Sequence, residues 1–261
     1  MKITHSPRLF PMMMLCLTLA LVVAVQGGCT RLRKSQIVPI TGASTVALDG
    51  TSPLALDIDN QRGSVQVEVS PKFKAPIIWA GVPGETKTAR RPDFVAAQLV
   101  MDSGRPVLRI LSASPSSTSP GSAAGEPKYV NLRIQVPSCA GIRIRNDGGP
   151  VFLKGVAGAI DIINSTHGMA GGTTVIAAKP ITDPITIKAS RGGIDLRLQE
   201  GSEGTLNART MKGSMRIDVD KARVIGAKTS YREWIGTLNK PGNPIDLRAE
   251  EGDVVVMYGR K

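Results

Sequence analysis

Ile185-Thr-Ile-Lys-Ala-Ser-Arg-Gly192-Gly-Ile-Asp-Leu196 alternates apolar and polar residues, breaks at a short polar stretch ending in glycine, and alternates again. Period-two alternation puts one set of side chains on one face of a half-buried strand, so the phrase reads as strand, corner, strand. It recurs from Leu54 to Val67 around Gly63, from Ile142 to Leu153 around Gly149, from Leu206 to Ile217 around Gly213 and from Ile245 to Val256 around Gly252. An internal repeat decides the fold class before any single residue is interpreted. The class is all-β, and no segment after residue 30 keeps helical spacing over two turns.

In the second half the corner glycines stand at Gly149, Gly168, Gly192, Gly213 and Gly252. Their spacing is about 20 residues, and the last interval is about double, with Trp234-Ile-Gly236-Thr-Leu238 where a missing corner would fall. The copy at Gly168 is the weakest: Ile160, Ile162 and Ile163 slip phase, and the following strand waits until Thr173 to Ala177. A near-constant period with two short strands per unit predicts a β-solenoid, in which each unit buries its apolar edges on its neighbours. The alternative is an antiparallel β-sandwich of stacked hairpins, since a polar break ending in glycine also joins antiparallel strands.

Elsewhere the pattern is looser. Ile77 to Ala80 reads as a strand, and Phe94 to Met101 with Pro106 to Leu111 reads as a hairpin around Asp102-Ser-Gly-Arg105. Residues 112–128, dense in Ser, Pro, Gly and Ala, read as a flexible loop. Val130 to Val136 alternates cleanly and stops at Pro137.

Residues 1–28 have another composition: Lys2 and Arg8 precede an apolar run from Met12 to Val25, and Gln26-Gly27-Gly28 leads into Cys29. A basic start, an apolar run of ~14 residues and small residues at the exit are the anatomy of an export signal, too short for the ~20 residues of a permanent span. The cysteine after two glycines resembles the lipobox of bacterial lipoproteins, whose cysteine thiol receives a diacylglyceryl group. Gln26 departs from that pattern, standing where an aliphatic residue is usual. The expected organisation is a lipoprotein signal at 1–28, a lipid-anchored tether at 29–45 and a β-repeat domain at 46–261. With Cys16 in the signal and Cys29 acylated, Cys139 has no partner and reads as a free structural thiol.

Removing Lys2 and Arg8 from the 33 basic residues leaves 31 against 21 acidic ones, an excess of about ten. Export argues against nucleic acid as the partner of that charge. Arg31-Leu-Arg33-Lys34 is placed to meet anionic head groups next to the lipid, or is a solvated linker.

Val130-Asn-Leu-Arg-Ile-Gln-Val-Pro-Ser138, the glycine-containing units after it, and Asn207-Ala-Arg-Thr-Met-Lys-Gly213-Ser-Met-Arg-Ile-Asp-Val219 resemble the putative-adhesin, DUF4097-type β-repeat family. The resemblance runs from about Leu54 to Tyr258 and is closest after residue 129. It implies a right-handed β-solenoid-like domain on an exported or membrane-associated bacterial protein. It implies no activity and supplies no catalytic residues.

Raw material for chemistry is thin. His5 lies in the signal and His167 in a Ser-Thr-His-Gly turn, leaving no histidine cluster or triad, and no phosphate loop or nucleophile elbow is present. No metal or cofactor site is expected, and the protein reads as no enzyme. Asp161, Asp195 and Asp218 each follow a glycine by a few residues and would be the acids of a carbohydrate-active β-helix enzyme if stacked within several ångströms. Tyr231-Arg232-Glu233-Trp234 is the densest polar-aromatic patch, and Tyr231, Arg232 and Trp234 are candidates for ligand contact or for capping the stack's open end. The expected role is a binding or structural module of the cell envelope, on the outer membrane or a periplasmic face, with an envelope glycan or protein as partner. An envelope assembly or stress factor working through protein contacts is the further alternative.

Overall fold

A computed structural model describes residues 36–41, 53–81, 95–112, 129–165 and 171–259. The export signal, Cys29, His167, Gly168 and residues 113–128 of the expected loop lie outside them. Residues Lys34 to Lys261 group as one unit. Within the stretch read as a tether, β1 (Gln36–Ile37) and β2 (Ile40–Thr41) are two short strands, one on each of two sheets, and Val38 between them is buried.

Each copy of the repeat folds as two strands meeting at its corner glycine. The first gives β3 (Ala55–Asn60) and β4 (Val65–Val69); β5 (Ile77–Gly81) and the expected antiparallel hairpin of β6 (Val95–Asp102) and β7 (Arg105–Ser112) follow. Then come β8 (Asn131–Val136), β9 (Gly141–Asp147), β10 (Val151–Val156), β11 (Ala159–Ser165), β12 (Thr173–Ala177), β13 (Ile185–Arg191) and β14 (Ile194–Leu198). The chain ends through β15 (Gly204–Lys212), β16 (Met215–Asp218), β17 (Val224–Thr229), β18 (Glu233–Leu238), β19 (Pro244–Glu251) and β20 (Val254–Tyr258).

Among the described residues these strands make two mixed sheets. One has nine strands in the order β1-β5-β8-β4-β10-β12-β14-β20-β16, the other eleven in the order β17-β18-β15-β19-β13-β11-β9-β3-β7-β6-β2. From β9 to β14 the chain alternates between the sheets, and each strand lies parallel to the one two places on. Both expectations are thus partly met: two sheets face each other as in a sandwich, and their central strands coil in parallel as in a solenoid. Antiparallel pairs occur at the two ends.

The alternation read from sequence is the alternation of burial. Leu56, Ile58, Val65, Val67, Ile144 and Leu153 are at most 2% exposed, as are their counterparts along the stack. Full burial of each such side chain contributes ~1.5–3 kcal/mol, and with few aromatics the interior is a laminate of Leu, Ile and Val. Ile163 does not slip phase: Ile160 and Ile162 point inward while Ile163 lies on the outer face.

The corners show why glycine ends each phrase. A Cβ on Gly149 would sit 2.6 Å from the Gly63 carbonyl oxygen, one on Gly171 2.1 Å from that of Gly149, and one on Gly192 2.6 Å from the Gly171 carbonyl carbon. Backbone rides on backbone from coil to coil, which only a residue without Cβ permits. Gly171, rather than Gly168, holds this place for β11 and β12.

Beneath the glycines runs a line of buried asparagines. Asn60 donates to Asn146 (2.8 Å), Asn146 to Asn164 (3.0 Å) and Asn164 to the Gly171 carbonyl (2.9 Å). Asn60 and Asn146 also donate to the Gly63 and Gly149 carbonyls. Ser112 continues the line outward to Asn60. Each amide satisfies corner carbonyls that the strand ladder leaves over.

Spatial order departs from chain order at both ends. The β7-to-β8 unit lies outside β3 and β4, although it follows them in sequence, and β19 with β20 inserts between β13 with β14 and β15 with β16. Trp234 to Leu238 is therefore no coil corner. It is β18, an antiparallel strand between β15 and β17.

Candidate functional site

The outward positions of the strands carry nearly all the polar chemistry. Asp161 projects from the eleven-stranded sheet and pairs with Arg145 at 3.1 Å, whereas Asp195 and Asp218 belong to the nine-stranded sheet. Asp195 pairs with Arg197 at 2.8 Å, and that hydrogen bond pushes the guanidinium pKa further up. β20 separates Asp195 from Asp218, which stands in register with Arg197 two residues further along, so strand geometry puts the two acids roughly 12 Å apart. The three acids do not stack on one face, so the expected row of catalytic carboxylates is not assembled. Among the described residues no three of His, Cys, Asp or Glu converge as metal ligands would.

The aromatic patch is divided by the strand pleat. Trp234 turns inward, 7% exposed, its ring covering Gly236 closely enough that a Cβ there would meet it at 2.7 Å. Tyr231 is 72% exposed, with the Arg232 guanidinium 4.6 Å from its ring centre. Trp234 closes the core where β16 ends the nine-stranded sheet and β18 continues the other. Tyr231 and Arg232 remain outside on the turn.

Two concave places stand out. The larger, about 650 Å³, runs along the corners that follow the nine-stranded sheet, between Val69, Phe73, Lys74, Pro137, Cys139 and Lys179. Cys139 is free and buried, and its thiol donates to the Gly141 carbonyl at 3.3 Å. Burial pushes its pKa up, opposed by backbone hydrogen bonds at Gly141 and Ala157. That keeps it a neutral thiol, consistent with the structural role read from sequence.

The smaller, about 330 Å³, is a shallow trough on the outer face of the eleven-stranded sheet, lined among others by Ile163, Lys188, Arg209, Met211, Arg248 and Glu250. Lys188, Arg248 and Arg209 stand side by side on β13, β19 and β15, in strict parallel register. Arg209 reaches Glu233 at 2.6 Å, while Lys188 and Arg248 have no ion-pair partner among the described residues. Met211, 66% exposed, flanks them. Elsewhere on this face the signs alternate: Arg109, Asp57, Arg143 and Asp161 follow one another across β7, β3, β9 and β11. Sequence reading missed the row, although a signal existed: Arg145, Lys188, Arg209 and Arg248 each stand four residues before a corner glycine.

No protein-family model and no curated protein matches the chain. Among solved structures, one described as a putative cell adhesion protein from Clostridium sporogenes is similar, with 11% identity, TM-score 0.56, and coverage of 86% of this chain and 99% of that one. Another, described as a putative adhesin from Bacteroides fragilis, matches at 11% identity over 86% of this chain and 96% of its own, with TM-score 0.30. The first shows a shared fold along nearly the whole of that protein. At this identity fold is all that it shows.

Proposed function

We propose that the protein is lipid-anchored through Cys29 in the bacterial cell envelope and that its β-repeat domain is a non-catalytic binding or structural module of adhesin type. The observation that carries the reading is the disposition of the acids: Asp161, Asp195 and Asp218 are spread over opposite sheets, and the first two are engaged by Arg145 and Arg197. General acid-base work needs two carboxyls converging on one bond. The outer faces of the nine- and eleven-stranded sheets, lined by polar and charged side chains, suit contact with an extended surface or polymer instead. The fold shared with a structure described as a cell adhesion protein supports the same reading.

The anchor is tested by fractionating cells that express wild type or Cys29→Ser, with metabolic labelling by a fatty-acid probe. Wild type is expected in the membrane fraction with label and the variant in the soluble fraction without it; an unchanged distribution removes the lipid from the proposal. The catalytic alternative is tested on a panel of envelope glycans. Turnover abolished by Asp195→Asn would replace the binding reading with an enzymatic one.

A further inference from the structure

We propose that Lys188, Arg248 and Arg209 form a binding strip for an acidic polysaccharide running across the strands of the eleven-stranded sheet. This names the ligand class for the binding module proposed above and rests on that reading.

The strip is a like-charge row held by the backbone. Neighbouring strands place its members about 4.8 Å apart, and the parallel register of β13, β19 and β15 leaves them no freedom to stagger. Like charges directly opposite each other destabilise a sheet, and this face shows the stabilising arrangement elsewhere, in the alternating row Arg109, Asp57, Arg143, Asp161. Lys188 and Arg248 lack even a counter-ion among the described residues. A row of cations that costs the fold free energy is accounted for by an anion that lies along it.

Three features select a polysaccharide. The strip lies mid-sheet, where both neighbours of β13 and β19 already use the main-chain hydrogen bonds, so a peptide cannot add as a strand. A membrane plane would press on the whole face, including Asp57, Asp161 and Asp246, whose charge an anionic bilayer repels. A narrow polymer crossing the strands lies along Lys188, Arg248 and Arg209 and meets Glu250 as the single acid lining the trough, with exposed Met211 and half-buried Ile163 beside it to take the apolar faces of sugar rings.

The test uses the full-length mature lipoprotein in a nonionic detergent, with polygalacturonate and dextran sulfate as acidic glycans. Neutral dextran, polyglutamate and phosphatidylglycerol vesicles serve as comparators, and affinity is measured near 0.15 M salt. Both acidic glycans are expected to bind saturably and dextran not at all. Lys188→Glu/Arg248→Glu is expected to weaken that binding by about tenfold or more. Lys74→Glu/Lys179→Glu, the same change of net charge in the corner groove, is expected to leave it within about twofold. If the reversed pair melts early, Lys188→Gln/Arg248→Gln makes the comparison with a milder change. Equal losses in both pairs, polyglutamate or vesicles held as tightly through Lys188 and Arg248, or no glycan binding would each overturn the proposal. Absence of glycan binding in a protein that still fractionates through Cys29 would remove the ligand and leave the anchored module standing.

Discussion

The centre of the molecule and its two ends are written in the same phrase, yet only the centre keeps the order of the chain. From β9 to β14 each coil stacks on the one before it, backbone on backbone at Gly149, Gly171 and Gly192 and amide on amide at Asn146 and Asn164. At the ends the next coil is displaced by one place, and antiparallel pairs, β5 with β8, β6 with β7 and β17 with β18, complete the sheets. The difference teaches that the stacking surface is generic. A coil that presents glycine at the corner and alternating Ile or Val inward fits beside any other, so the intervening hairpins decide which neighbours meet. Glycine itself has two uses here: close stacking at the corners from Gly63 to Gly252, several of which also take positive φ, and positive φ alone at Gly104 in the β6-to-β7 turn.

The largest expected effect tests those two uses against each other. Gly171 lacks a positive φ, so a methyl group there is penalised by contact alone, 2.1 Å from the Gly149 carbonyl oxygen. Gly104, in the β6-to-β7 turn, has φ of +78° and open space around it. Gly171→Ala is expected to lower the unfolding free energy by about 3 kcal/mol or more, and Gly104→Ala by about 1 kcal/mol. Urea denaturation of the two proteins makes the comparison. Equal losses would mean that the corners of the centre yield as easily as a surface turn.

The buried amides give the next step down. Asn146 donates to Asn164 and to the Gly148 and Gly149 carbonyls, and it accepts from Asn60. Thr210 holds the corresponding place at the far end and donates to the Gly252 carbonyl alone. Asn146→Ala leaves several buried groups unpaired and should cost about 2 kcal/mol, against about 1 kcal/mol for Thr210→Val. A smaller loss at Asn146 than at Thr210 would show that the ladder's bonds are not what holds the central corners.

At the end itself the effect becomes local. Trp234 covers the core beyond β16, and Asn239 ties the hairpin down by donating to the Ser202 carbonyl and the Tyr258 hydroxyl, both at 2.7 Å. Trp234→Ala is expected to raise amide exchange in β17 and β18 while shifting the global urea midpoint by the equivalent of about 1 kcal/mol, because terminal units open before the centre does. A global loss comparable to that of Gly171→Ala would show end and centre to be one cooperative unit.

These contrasts also mark what the sequence revealed. Period-two alternation made strand and burial legible, and Gly63, Gly149, Gly192, Gly213 and Gly252 were readable as corners because nothing else ends each phrase. The order of the coils was not legible, since interchangeable surfaces carry no address, and Trp234 to Leu238 shows the consequence. An antiparallel strand of a hairpin has the same period as a coil strand. The asparagine ladder was not legible, because Asn60 and Asn146 stand in the polar break before a corner glycine, where asparagine signals a turn whether its amide faces water or the core. The cationic strip was hidden for another reason. Lys188, Arg209 and Arg248 look like separate solvent-facing charges until β19 is seen to lie between β13 and β15.

The seam where that displaced coil enters is the place where pH should act. Lys212 donates to Glu251 at 2.9 Å and, with Arg191, holds the Glu251 carboxyl below its ordinary value of 4.5. The Ser214 backbone N–H donates to Asp253 at 2.7 Å and holds that carboxyl below 3.8. Both contacts join the β19-to-β20 corner to the β15-to-β16 corner. A carboxyl whose folded pKa is depressed contributes stability above its unfolded pKa and loses it as pH falls through the folded value. Acidification from pH 5 to below pH 3 should therefore loosen this seam while the asparagine-braced centre, which has no titrating group in its ladder, stays closed. Both carboxyls are solvent-exposed, so the effect is small and screened by salt. Amide exchange at Val254, whose N–H donates to the Ser214 carbonyl at 3.0 Å, reports the seam directly. Its protection should fall with acid ahead of that of Val151, which makes the equivalent bond to Gly172 in the centre. In Lys212→Gln the protection at Val254 should be lower at neutral pH and less dependent on acid. Parallel loss at Val254 and Val151 would mean that the ion pair at the seam does not distinguish the displaced coil from the ordered stack.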